Sequence, residues 1–119
     1  MTRPSPFSLL FLLALPSPSA AAPKIDFDRE IRPLFSDKCF ACHGPDEKQR
    51  HAGLRFDTKE GGYRVIVPGD SAKSPVVKMI AHIGDQDNWM PPAHNRANIG
   101  PLTADQVGLV RAWIDQGAK

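Results

Sequence analysis

Cys39-Phe40-Ala41-Cys42-His43 is the stretch whose reading decides this chain. C-x-x-C-H is the pattern by which c-type haem is held covalently. The spacing follows from the chemistry. Two thiols must reach two vinyl groups on one porphyrin edge, and the next residue must bring an imidazole under the iron. A tight turn with two residues between the thiols achieves both. The neutral imidazole of His43 is then the proximal iron ligand. On this reading Cys39 and Cys42 do not form a disulfide.

Two other readings use the same residues. A redox disulfide would need a thioredoxin-like βαβ setting, and the sequence offers none. A zinc site would draw on Cys39, Cys42 and two of His43, His51, His82 and His94, but these histidines lack H-x3-5-H spacing. Both cysteines of the chain lie inside the motif.

The N-terminal region reads as a secretory signal peptide. Arg3 supplies the positive charge, Phe7 to Leu15 form an apolar run broken by Pro16, and Ser19-Ala20-Ala21 offers small residues for cleavage. A membrane span needs roughly 20 apolar residues, and Pro16 and Pro18 stop this run short of that. The reading is a leader over 1–21 and one domain over 22–119, with membrane contact only where the leader stays uncleaved. Haem c is attached outside the bacterial cytoplasm, so leader and motif support each other and point to the periplasm.

The 119 residues carry 15 Lys and Arg against 13 Asp and Glu, a formal charge of +2. Losing Arg3 with the leader lowers this to about +1, and two haem propionates would bring it to about −1. No strong basic balance marks a nucleic-acid partner. A domain under roughly 100 residues has a marginal polypeptide core, which a buried macrocycle would complete.

Helical patterns flank the motif. Asp26 reads as an N-cap before Phe27, Ile31, Leu34 and Phe35, which recur at helical spacing. Pro33 should kink this helix or split it into two pieces. Gly44-Pro45-Asp46 reads as a turn, and Glu47 to Gly53 as a surface loop. Leu54 and Phe56 give a brief extended hint, and Gly61-Gly62 and Pro68-Gly69-Asp70 read as punctuation. Ser74-Pro75 opens a further helix with Val76, Val77, Ile80 and Ile83 on its apolar face. The last helix has a capping box at Thr103-Ala104-Asp105-Gln106, a staple between Leu102 and Val107, and an apolar stripe of Val107, Val110, Trp113 and Ile114. Gly117 follows as its C-terminal stop.

A six-coordinate iron needs a second ligand, and the candidates are Met79, Met90, His51, His82 and His94. Met79 falls within the helix opened by Ser74 and reads as core filler. Met90 sits in a loop stiffened by Pro91 and Pro92, and a soft thioether suits ferrous iron. Met90 is the preferred ligand, with His82 and His94 as competitors. Trp89, Arg55 and Arg96 are candidate propionate donors that also have ordinary surface or packing roles.

These residues resemble a known family. A helix over Phe27-Asp28-Arg29-Glu30-Ile31-Arg32-Pro33-Leu34-Phe35 leads into Cys39-x-x-Cys42-His43-Gly44-Pro45-Asp46. Then come Gly53-Leu54-Arg55-Phe56-Asp57, Val67-Pro68-Gly69-Asp70, Met90-Pro91-Pro92, and Leu102-Thr103 through Trp113 to Ala118. The set resembles small class I cytochromes c, and more closely the planctomycete-type cytochrome c domain, over nearly all of 22–119. The resemblance implies an all-α fold whose N- and C-terminal helices cross beside one covalent haem. It implies thioether links at Cys39 and Cys42 and axial ligands His43 and Met90. In that family the module usually opens a much longer chain, so the roles of the longer proteins are not carried over.

The expectation is an exported monohaem cytochrome that carries single electrons between transient redox partners and is not an enzyme. The rival is a haem peroxidase with an open sixth site and His82 or His94 as distal acid–base groups; the same open site would suit a gas-binding sensor. A zinc-stapled binding module is the structural rival.

Overall fold

The computed structural model describes residues 1–2, 13–17 and 23–119. Most of the expected leader, including the Ala21 cleavage point, lies outside the described residues. Among the described residues every regular element is helical, and no helix is long and apolar enough to cross a membrane.

The first helical segment shows what Pro33 does. Residues Phe27–Ile31 form a π turn that runs directly into α1, Arg32–Lys38. Proline lacks an N–H and its ring crowds the preceding turn. The wide turn lets Pro33 fall in the first turn of α1, where its missing donor costs nothing. Asp26 caps the segment by accepting from the Arg29 N–H at 3.2 Å, and Glu30 accepts from the Asp26 N–H at 2.8 Å. The motif follows as one short turn, α2, Phe40–His43.

Two further helices are short. Residues Lys59–Gly62 form α3, capped by the Thr58 hydroxyl, where the sequence suggested only punctuation. Gly61 is there for close packing: a Cβ at this position would lie 2.3 Å from the Arg55 carbonyl oxygen. No strand forms at Leu54 and Phe56; Phe56 is buried, and its N–H donates to the His43 carbonyl at 2.7 Å.

Residues Pro75–Ile80 form α4, with Pro75 in its first turn. Ser74 stands at the N-cap, but its hydroxyl is turned away from the helix. It accepts from the Val67 N–H at 2.8 Å and donates to the Asp70 carbonyl at 2.8 Å. Those turn groups have no helical partner, and Ser74 itself is 1% exposed, so the side chain satisfies them instead. Ile83 does not share the apolar face. The helix ends at Ile80, His82 takes a left-handed φ of 56°, and Ile83 is 57% exposed.

The last helix, α5, is Ala104–Asp115, and it forms as the sequence predicts. Thr103 Oγ1 accepts from the Gln106 N–H at 3.1 Å, and Gln106 Oε1 accepts from the Thr103 N–H at 2.9 Å. Its C-terminus is a Schellman closure. Gly117, at φ 109°, donates to Ile114, and Ala118 donates to Trp113.

The core joins the two ends of the domain. Ile31, Leu34 and Phe35 pack with Phe56, Val76, Val77, Ile80, Val110, Trp113 and Ile114. Trp113 sits at the centre of an aromatic cluster, its ring centroid 5.4 Å from Phe27 and 5.8 Å from Phe35. The α5 helix packs on the Phe27–Ile31 turn and on α4. Phe27–Lys38 is thereby fixed from behind, and the motif that follows it is held in place.

Candidate functional site

Backbone hydrogen bonds anchor the motif on both sides. The Cys39 N–H donates to Phe35 at 2.7 Å, which continues α1 into the motif. The His43 N–H donates to Cys39 at 2.8 Å and closes the turn that puts both thiols on one side. Beyond it, the Cys42 carbonyl accepts from the His51 N–H at 2.8 Å. Arg50 Nε and Nη2 donate to the carbonyls of Gly44 and Pro45, each at 3.1 Å. Gly44 is required by close approach, because a Cβ there would lie 2.3 Å from the Phe40 carbonyl oxygen.

Cys39, Cys42 and His43 open onto one cavity of about 360 Å³. This lies within the range of about 300–1,000 Å³ typical of cofactor sites. Met90 and Pro91 line it from the loop, and Met79 and Ile80 from α4. Leu54, Phe56, Val65, Val76, Ile99 and Leu102 supply further apolar wall. Lys38, Arg64, Asn88 and Asn95 are its polar members. A larger hollow of about 650 Å³ shares Phe56 with it and runs beside Phe27, Tyr63 and Trp113. That hollow has no cysteine, histidine or methionine on its wall, so it cannot seat a group attached through the motif.

The four predicted site residues, Cys39, Cys42, His43 and Met90, thus meet at one cavity. His51, His82 and His94 are not on its wall. His82 instead stacks on Trp89 with centroids 4.7 Å apart and planes 5° from parallel. Trp89, Arg55 and Arg96 are also absent from the wall. Trp89 Nε1 donates to the Gly84 carbonyl, and Arg55 is paired with Asp57. The cations at the cavity are Lys38, which donates to the Gly100 carbonyl at 3.2 Å, and Arg64, which donates to the Gly53 carbonyl at 3.0 Å. Lys38 could have been found as the neighbour of Cys39; nothing in the sequence singles out Arg64. Met79, expected in the core, lies on the cavity wall as well.

The electrostatics fit a metal-bearing macrocycle. Burial, reinforced by Cys42 and opposed by Lys38, pushes the Cys39 thiol up to about 12, so it is protonated at neutral pH. Burial also lowers the pKa of His43, against a weaker upward pull from the backbone at Leu54 and His51. The imidazole is therefore neutral and its lone pair is free. His43 Nδ1 is buried without a hydrogen-bond partner. Two thiols, a neutral imidazole and soft thioethers in an apolar cavity are a donor set suited to c-type haem.

Residues 39–94 match the family described as Planctomycete cytochrome C. This stretch belongs to that family. The planctomycete cytochrome c match begins at the first cysteine of the motif and ends at His94, so it takes in Met79 and Met90. Phe27–Lys38 and α5 lie outside it, although they carry much of the core behind the motif. Comparisons with curated proteins and with solved structures gave no match.

Proposed function

We propose that this chain is an exported c-type cytochrome that holds one haem and passes single electrons between redox proteins. The observation that carries the reading is the convergence of Cys39, Cys42, His43 and Met90 on one largely apolar cavity. Cys39 and Cys42 hold the group through thioether links. His43 and Met90 would ligate its iron, and Met/His ligation favours a raised potential. The haem, when bound, supplies the one-electron couple. The chain sets its burial: Val65, Val76 and Ile80 keep water from the cavity, while Lys38 and Arg64 are placed to meet acidic groups at its edge. Redox partners of this kind bind through small, transient contacts, and the leader read over 1–21 supports a periplasmic location.

The peroxidase reading needs acid–base groups inside the cavity, and neither His82 nor His94 lines it; the sensor reading needs an open sixth site. The test is expression with cytochrome c maturation machinery. The expected product carries haem covalently by mass, shows a reversible one-electron couple and binds carbon monoxide slowly when reduced. A product that stays colourless after maturation would sink the haem reading, and fast carbon monoxide binding would sink the carrier reading.

A further inference from the structure

We propose that Met79 is a second thioether for the iron, held in reserve and taking the sixth position when Met90 leaves it. This rests on the haem reading above and goes beyond it. Met79 and Met90 line the same cavity. They also adjoin, since the Met90 N–H donates to the Met79 carbonyl at 3.0 Å. Met79 is not used in the way its helix would suggest. Val76, Val77 and Ile80 of α4 are 4–6% exposed in the core, whereas Met79 is half-buried, outside that cluster and at the cavity wall.

The chain between the two methionines is closed on itself. The Ile83 N–H donates to Lys78 at 2.9 Å and the His82 N–H to Met79 at 3.3 Å. Trp89 Nε1 donates to Gly84 at 3.2 Å, and the Trp89 ring stacks on His82. Such a loop can shift as a unit when the Met90–Met79 bond opens. Met79 stays behind because it is part of α4, which is anchored in the core. The exchange would break one sulfur–iron bond and form another, with no proton or electron transferred. Methionine suits this role, since its unbranched side chain reaches in several rotamers. Its consequence is a haem that stays six-coordinate with sulfur ligation when Met90 is displaced.

The experiment compares the wild type with Met79→Leu, Met90→Leu and the double variant, all matured with haem. Leucine keeps the volume of methionine, so folding is spared. Covalent haem by mass is the first readout. The second is the charge-transfer band of thioether-bound ferric haem, together with the NMR methyl signal of a ligated methionine in the ferrous form. Met79→Leu should keep both thioether signals, with Met90 as their source. Met90→Leu should keep the band with a displaced methyl signal, and the double variant should lose both. Complete loss of both signals in Met90→Leu, equal to the double variant, would overturn the proposal and leave Met90 as ligand. A nitrogen-ligated spectrum in Met90→Leu, from Lys38 or a histidine, would overturn it too. Covalent haem without any thioether signal in the wild type would overturn both this proposal and the Met90 reading.

Discussion

Replacing Trp113 by alanine should strip the domain of much of its stability and leave the haem environment almost unchanged. Trp113 is 4% exposed. Its indole lies against Phe27 and Phe35, and its Nε1 donates to the Lys119 carbonyl at 3.1 Å. Truncating a buried tryptophan costs about 3–5 kcal/mol. A domain of this size has about 5–15 kcal/mol in all, so the change removes a large share. At roughly 4–8 °C per kcal/mol for such a domain, the melting temperature should fall by on the order of 12–40 °C. Trp113→Phe separates the contributions. It keeps an aromatic ring between Phe27 and Phe35 and loses the hydrogen bond, which is worth about 0.5–1.5 kcal/mol. Both variants, matured with haem, would be followed by thermal unfolding and by the reduction potential. Trp113 does not line the haem cavity, so the potential of the folded protein should stay near the wild-type value. An alanine variant that melts with the phenylalanine variant would refute the packing argument. A potential displaced as strongly as the melting temperature would refute the separation of scaffold from site.

Thr103→Ala removes the cap of α5 and should cost about 1 kcal/mol, read as a fall in the denaturation midpoint; no fall would show that the capping box is idle. In the haem-free chain Cys39 should be alkylated far more slowly than Cys42 at pH 8, because burial raises its pKa to about 12; equal rates by mass spectrometry would contradict that burial. The hydrogen bond from Arg55 holds the Asp57 carboxyl below its ordinary pKa, so this pair stabilises the fold above the unfolded carboxylate value. That contribution is lost as the pH falls through the lower, folded value. Asp57→Asn should therefore flatten the acid limb of a stability–pH curve, and an unchanged limb would mean that the pair contributes nothing there.

The parts of this protein legible in sequence are those fixed by short-range rules. The capping box at Thr103, the proline break at Pro33 and the C-x-x-C-H turn each depend on residues a few positions apart, and each is present in the fold. Ser74 shows where such rules stop. Its position as N-cap was readable, but the destination of its hydroxyl was not, because the Val67–Asp70 turn competes for it. Ile83 departs from its pattern for a similar reason. Helical periodicity continues past Ile80 in the sequence, while the left-handed His82 ends it in space. The cavity cations were hidden more deeply. Arg64 is on the wall, its guanidinium reaching back to the Gly53 carbonyl at 3.0 Å, a contact with no local signature.

The division between scaffold and site bears on how the family match should be used. The matched stretch, 39–94, holds the motif and both methionines, yet the motif is positioned by residues outside that stretch. Cys39 receives its helical start from Phe35, and Phe35 is held by Phe27, Trp113 and Phe56. Phe56 alone in this cluster belongs to the match, and it is the member that touches the cavity. It also pairs edge-on with His43 at 6.0 Å. Phe56 therefore joins the two halves. Substitutions at Phe27 or Trp113 act on the site only by loosening the fold, whereas a substitution at Phe56 changes stability and the surroundings of His43 together. A truncation to the matched residues would keep every proposed ligand while removing Phe27, Phe35 and Trp113. The aromatic support behind Cys39 would be gone, so a chemically complete ligand set would have no scaffold to hold it.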